Sequence, residues 1–533
     1  MSKFNTTSVR ARNGEGFIGT ATVEVRNHNG GTSVLRNAKS ELFLAAVSDF
    51  AGEDTFYESA GSRTKRVNDL IHEVAVSDID WIASFVKWLR EEANMRSISL
   101  VIALEAAKAL LNAGIPGARG IVTNALKRAD EPGEAIGYWH SQHGRKIPSA
   151  VKRGIADATV NLYNEYSLGK YDTASKGFRF ADVIQLTHPS PSTPLQSDLF
   201  KFAMDRRRDA SAKAPESLKM AEKRKAILAL PKDEMRALIK SENGSAELKA
   251  AGLTWEAVAG SVGLDKEIWE ALIPTLGYMA LLRNLRNFEQ AGVSGKVLDK
   301  VAERLADEEA VAKSRQLPFR FLSAHRAVSG YETDMWGRMV KNAGSLRFVY
   351  PLEKALNASL SNVPALKGNT LILVDRSGSM FGSPSKNTQL SFADSAAVFG
   401  AALAVRAEKA TLVEFGTYSR EIPFLKQSSV LNLVESFTSM GGTNTAAAIK
   451  AHYKPGVHTR VVIITDEQYS SYYGDPSKML PESVPLFTWN LVGYAPGGAA
   501  RHNRYFFGGL SDQSFKLIPF IEAGNSAKWP WMD

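Results

Sequence analysis

The residues Leu371 to Met380 read LILVDRSGSM. An apolar run ends on one carboxylate, Asp375, and two hydroxyls follow at alternate positions, Ser377 and Ser379. Two later stretches carry the same hard oxygen chemistry. Thr443 lies in the turn GGTNT, and Asp466 follows the run VVIIT at 461–465. Two carboxylates, three hydroxyls and waters would make an all-oxygen shell, which suits Mg²⁺, with Mn²⁺ as the alternative. Alternate spacing lets Arg376 and Gly378 point away while the Ser oxygens face the ion. A lone D-x-S-x-S usually marks a turn whose side chains bond their own backbone. The metal reading therefore depends on three loops converging. Thr443 is preferred to Thr445 because it follows the double glycine.

The elements that must bring those loops together are short. LILV (371–374), TLVEF (411–415), VVIIT (461–465) and PLFTWNLVG (485–493) read as apolar strands. Helical stretches lie between them: Phe392 to Lys409, Val430 to Phe437, and Thr445 to His452. Such alternation predicts a doubly wound α/β domain with a mostly parallel sheet. Ligands of such sheets bind beyond the carboxyl ends of the strands, where Asp375 and Asp466 fall. This arrangement resembles the von Willebrand factor A domain and its metal-ion-dependent adhesion site. The resemblance assigns Asp375, Ser377, Ser379, Thr443 and Asp466 to that site, with one coordination position left for a partner's carboxylate.

Residues 40–340 have a different grammar. Ile79 to Arg90 (IDWIASFVKWLR) and Ser99 to Ala113 (SLVIALEAAKALLNA) carry apolar residues at helical spacing, and Gly114, Pro116 and Gly117 stop the second. Helix pairs separated by Gly/Pro breaks suggest an irregular helical repeat of the HEAT type. With a linker near 364–368, the expected domains are 1–365, helical, and 369–533, α/β.

Composition narrows the class. The 533 residues contain no cysteine, which excludes a disulfide framework, a cysteine nucleophile and a thiolate zinc site. No apolar run approaches about 18 residues, so no membrane span is expected. The opening MSKFNTTSVRARNGEG lacks the apolar core of a secretory signal, and a cytoplasmic monomer is expected. Of the net charge of +9, residues 369–533 carry +1 and residues 1–368 carry +8. A basic N-terminal part favours polyanions. HEVAV (72–76) lacks the second His of a zinc protease helix, and neither a phosphate-binding loop nor a nucleophile elbow is present. An enzyme is not expected.

Three stretches sharpen the N-terminal part: ELFLAAVSDFAGEDTFYESAGSRTKR (41–66), LTWEAVAG with WEALIPTLGYMALLRNLRNF (253–260, 269–288), and the basic segment from Gly144 to LTHP at 186–189. Together they resemble the TROVE module of the Ro autoantigen family and its bacterial orthologs, in which a helical-repeat ring precedes a von Willebrand A domain. AGEDTFY departs from the Gly-Gly usual near that position. The resemblance implies RNA binding without catalysis. Small non-coding Y-like RNA would lie on a basic outer face, and single-stranded 3′ ends of misfolded or degrading RNA would enter a central hole. Polynucleotide phosphorylase, a 3′ exonuclease, is the implied partner.

The residues allow that chemistry. Between Gly144 and Phe180 stand Arg145, Lys146, Lys152, Arg153, Lys170, Lys176 and Arg179, against only Asp157, Glu165 and Asp172. Such cations bind phosphates with little sequence preference. Tyr166, Tyr171 and Phe178 are placed to stack unpaired bases, whereas Tyr163 reads better as core. The THP match adds His188 as an RNA contact, although a His before Pro is more often packed or capping. The basic groups Lys201 to Lys213 and Lys223–Lys225 are diluted by acids and read equally well as solvated helix faces. His325 and Arg326 are weaker candidates for the ring interior. Two other readings remain open: a metal-dependent adhesion or AAA+ adaptor protein without RNA, and a metal-dependent phosphoesterase.

Overall fold

The structure, a computed structural model, describes residues 24–26, 32–34, 38–48, 60–93, 95–314, 316, 318–329, 331–333, 339–341, 346–360, 363, 365–382, 390–469, 473–492, 504–508, 518, 529 and 531. The expected AGEDTFY loop and Gly493 lie outside these. The chain forms two compact units, one of residues 1–74, 317–319 and 360–533, the other of residues 75–316 and 320–359. The first 74 residues thus group with the α/β part and not with the helices that follow them, a division that a single cut near 365 does not describe.

The α/β unit begins with the antiparallel pair β1 (Glu24–Arg26) and β2 (Thr32–Val34). A second small pair, β3 (Tyr331–Thr333) and β4 (Met339–Lys341), belongs to the helical unit. The main sheet has β5 (Asn369–Asp375), β6 (Lys409–Phe415), β7 (Ser419–Glu421), β8 (Arg460–Thr465), β9 (Leu486–Asn490) and β10 (Arg504–Gly508). Their order is β10-β9-β8-β5-β6-β7, and only β7 runs antiparallel to its neighbour. The four expected strands are β5, β6, β8 and β9. β8 and β9 are buried throughout and β5 in all but its first residue, as a sheet covered on both faces requires. The central helix is Phe392–Arg406. It stops short of Lys409 because Ala407 turns extended and Glu408 N–H bonds the Leu366 carbonyl at 2.7 Å. The next helix is Val430–Glu435, shorter than expected, and Thr445–His452 falls where its sequence puts it. Ahead of the sheet, the helix Ala38–Ser48 packs on β10, and Phe43 lies 5.6 Å from Trp529, ring to ring.

In the helical unit, the first expected segment is the helix Ile79–Glu91. Asp78 caps it, its carboxylate accepting from Trp81 N–H at 3.0 Å. Trp81, Ile82, Phe85, Val86, Trp88 and Leu89 form its buried face, the i, i+3, i+4 stripe read in the sequence. The second helix, Arg96–Asn112, starts earlier than Ser99. Gly114 ends it at φ 69°, and Ile115 N–H closes onto the Leu110 carbonyl at 2.8 Å, a Schellman turn that suits glycine.

One buried acid ties several of these helices. Glu131 is 1% exposed at the start of the helix Glu131–His143. It accepts from Arg90 Nη2 at 2.7 Å, Arg96 Nε at 2.8 Å, and the backbone N–H groups of Lys127 and Arg128 at 2.7 and 2.9 Å. Removing one member of a buried ionic cluster strands the others, at a cost of about 3–5 kcal/mol. Glu131→Ala should lower the denaturant-derived unfolding free energy by an amount of that order. A loss under about 1 kcal/mol would mean that the two arginines find water instead.

Candidate metal centre and nucleic-acid interface

The carboxyl ends of β5 and β8 carry Asp375 and Asp466, both 0% exposed. Asp375 accepts from Ser377 N–H at 2.8 Å and from the Thr465 hydroxyl at 2.5 Å. Ser377 and Ser379 sit with their hydroxyls 3.4 Å apart. Asp466 accepts from Gln468 N–H at 3.0 Å through one oxygen, while its Oδ2 is buried with no hydrogen-bond partner among the described residues. Burial, and then the neighbouring Asp375, push the Asp466 carboxyl up to about 7, against the opposing influence of the Ser379 hydroxyl. Burial also raises Asp375, opposed by its bonds to Ser377 and Thr465.

The third loop is stitched to the first. Met440 N–H bonds the Arg376 carbonyl at 2.9 Å, and Gly378 N–H bonds the Gly441 carbonyl at 2.7 Å. Gly441 stands at φ 75°, and a Cβ on Gly416 would run into Met440, so both glycines allow this approach. Thr443 is half-buried in this loop, and Thr445 is buried at the head of the helix Thr445–His452. Arg376 does turn away from the carboxylates. Its guanidinium donates to the carbonyls of Thr438 at 2.8 Å and Ala393 at 2.7 Å, beside the rings of Phe381 and Phe437. The structure thus brings Asp375, Ser377, Ser379 and Asp466 together, with the Thr443 loop bonded alongside. Two adjacent buried carboxylates and an unpartnered inward oxygen fit a hard divalent cation.

The basic segment divides into two kinds of cation. Arg145, Lys146, Arg153, Lys170 and Lys176 are exposed and Lys152 half-buried, and none of the six makes an ion pair among the described residues. Lys170 lies over the rings of Tyr166 and Tyr171, at 5.6 and 5.2 Å. Arg179 is different. It pairs with Asp172 at 2.8 Å, which is 7% exposed and also receives Arg206 and Phe180 N–H. The bond holds Asp172 below the usual carboxylate range against its burial, so Arg179 is a structural cation. Asp172 ends one helix and Arg179 begins the next, so their pairing depends on the turn between them, and Arg206 joins from a later helix. Lys223 pairs with Glu247, and Arg224 and Lys225 donate to carbonyls, so that group is the ion-paired helix face.

Tyr163 is core, 4% exposed and stacked on Phe180 at 3.6 Å. His188 is exposed and caps the helix Phe180–Thr187 in the left-handed region at φ 51°, a conformation that non-glycine residues seldom take. His325 is 4% exposed, with Ser329 on it, and faces no open surface.

A family model described as the TROVE domain matches residues 143–346. Over 84 residues the chain is 40% identical to "Telomerase protein component 1" of Mus musculus, 15% of this chain and 3% of that protein. The chain thus spans a small fraction of that relative, and its rat counterpart matches to the same extent. It is 25% identical over 486 residues to "RNA-binding protein RO60" of Deinococcus radiodurans, covering 84% of each. The crystal structure of the Deinococcus radiodurans Ro (RSR) protein superposes with a TM-score of 0.64 at 18% identity, covering 91% of this chain and 99% of that one. The likeness shows the same fold: a helix-rich part followed by an α/β sheet.

The raised Asp466 carboxyl makes stability depend on pH. Between about pH 4 and pH 7 the ion-free folded protein keeps a proton that the unfolded chain has released, so stability falls as pH rises through that window. Melting temperatures in chelator should drop across it. Saturating Mg²⁺ should restore them near pH 7, and Asp466→Asn should flatten the profile. A flat wild-type profile in chelator would show that the two carboxylates do not strain each other.

Proposed function

We propose that this chain is an RNA-binding protein of the Ro type, built on the TROVE-matched segment, and not an enzyme. The observation that carries the reading is the set of exposed cations that make no ion pair among the described residues, Arg145, Lys146, Arg153, Lys170 and Lys176, at the start of the TROVE-matched segment. Cations left unpaired at a surface bind phosphates by releasing counterions. Tyr166 is 45% exposed beside Lys170 and offers a ring on which an unpaired base can stack. His188 would add a contact from its helix end. The finer reading is that a folded, Y-like small RNA is held on this face by shape and phosphate contacts. Single-stranded 3′ ends of misfolded or degrading RNA would be taken into a central hole, and a 3′ exonuclease such as polynucleotide phosphorylase would be the partner. What supports it is the likeness to the Deinococcus proteins.

The α/β unit has a separate role in this proposal. Asp375, Ser377, Ser379, Asp466 and Thr443 would hold Mg²⁺, and Asp466 Oδ2 supplies a buried oxygen that has no hydrogen-bond partner among the described residues. The ion would offset the charge of the buried carboxylates and leave a position for a partner's carboxylate, as an adhesion site does.

Charge reversal separates the two kinds of cation. The triple variant Arg145→Glu, Lys146→Glu, Arg153→Glu should weaken binding of a small structured RNA by roughly ten-fold or more at moderate salt. It should also reduce the slope of log K against log salt by about one for each phosphate that is no longer neutralised. Arg179→Ala should instead lower the melting temperature, because it strands Asp172, while leaving that slope unchanged. Equal slopes for the wild type and the triple variant would remove this face from the interface.

A further inference from the structure

Arg376 stands inside the D-x-S-x-S stretch and is only 6% exposed. A guanidinium taken out of water is costly unless its donors are met. A small residue would pass the chain from Asp375 to Ser377 without that cost. We propose that Arg376 is the positioning residue of the candidate metal centre: it bolts the Thr443 loop to the Asp375 loop and so brings Thr443 to the ion. The proposal rests on the metal reading above and adds to it a side chain that touches no ion.

The bonds of this one residue reach several segments. Its N–H donates to the Phe415 carbonyl, at the end of β6, at 2.8 Å. Its carbonyl accepts from Met440 N–H at 2.9 Å. The side chain donates from Nε to the Thr438 carbonyl at 2.8 Å, and from Nη1 to the Ala393 carbonyl at 2.7 Å, in the first turn of the helix Phe392–Arg406. The guanidinium carbon lies 5.0 Å from the centre of the Phe381 ring and 5.8 Å from that of Phe437. Phe381 closes the short 3₁₀ turn Gly378–Phe381, which carries Ser379. Carbonyl oxygens and ring faces together accommodate the buried charge.

Two of these bonds clasp the approach to Thr443. The side chain of Arg376 holds Thr438, and its backbone holds Met440. Thr443 follows three residues later, and no hydrogen bond of its own fixes its side chain among the described residues. The loop therefore sets where the Thr443 hydroxyl lies. Arginine suits the task because its rigid, planar fork presents donors in fixed directions to carbonyls on two different segments, whereas an ammonium is a compact point charge.

The test is a double-mutant cycle on the full chain, read by calorimetric titration with Mg²⁺ above the Asp466 midpoint of about 7. Arg376→Lys keeps the charge and loses the fork. It should weaken Mg²⁺ binding by about ten-fold in the wild-type chain, the loss usual for a residue that orients a metal ligand. In the Thr443→Ala chain the ligand that Arg376 positions is gone, and the same substitution should change the dissociation constant by less than about two-fold. A loss of equal size in both backgrounds overturns the proposal, because Arg376 then acts on the fold at large. So does an unchanged affinity in Arg376→Lys, or a Thr443→Ala chain that binds as tightly as the wild type. If Arg376→Lys does not fold, Arg376→Gln, which keeps a single donor group, takes its place in the cycle. A wild-type chain that takes up no Mg²⁺ overturns the metal reading itself, and this inference with it.

Discussion

A carboxylate taken out of water must be given positive charge or several donors, and this constraint organises both units. The helical unit meets it with arginines. Glu131 collects Arg90 and Arg96, and Asp172 collects Arg179 and Arg206. Glu105, 1% exposed, takes the Tyr138 hydroxyl at 2.7 Å and His143 at 2.9 Å. The α/β unit buries Asp375 and Asp466 at the carboxyl ends of its central strands with hydroxyls and backbone N–H groups and, among the described residues, no arginine bonded to either. The helical solution locks distant helices to one another. The α/β solution leaves two adjacent buried carboxylates whose charge the proposed cation would offset.

The same constraint explains why counting basic residues is a poor guide to a polyanion surface. Seven cations against three acids between Gly144 and Phe180 read as one patch in the sequence. Arg179 leaves that patch because Asp172 needs it, and the other six stay available. The distinction depends on how the turn between two helices folds Asp172 onto Arg179, and on Arg206 from a later helix, neither of which a count of charges contains. An arginine serving a buried acid and a lysine serving solvent have the same letter-level appearance.

Local pattern was enough where the physics is local. The strands β5 and β8 announce themselves as apolar runs closed by Asp375 and by Asp466. The helix Thr445–His452 follows its turn, and Gly114 marks the end of its helix. Helix ends set by a neighbouring strand were missed, as at Ala407. So were β7, which at three residues is too short for a pattern, and β10, whose pairing with β9 is non-local. Thr465, whose hydroxyl donates to Asp375, was invisible as a site residue, because only the pairing of β5 with β8 brings the two together.

The grouping of residues 1–74 with residues 360–533 has a kinetic consequence. The helix Ala38–Ser48 packs on β10, and Phe43 meets Trp529 and Trp531, so early and late segments complete one unit. On the ribosome, the helical unit between them emerges whole and, with contacts mostly between neighbouring helices, can fold while synthesis continues. The N-terminal helix must wait for more than 450 residues to emerge before its partners Arg504–Gly508 and Trp529 exist. Its apolar face is therefore exposed for most of translation, at about 5–20 residues per second for tens of seconds. The α/β unit closes last, and a chaperone that shields this helix would have its longest task at the start of the chain.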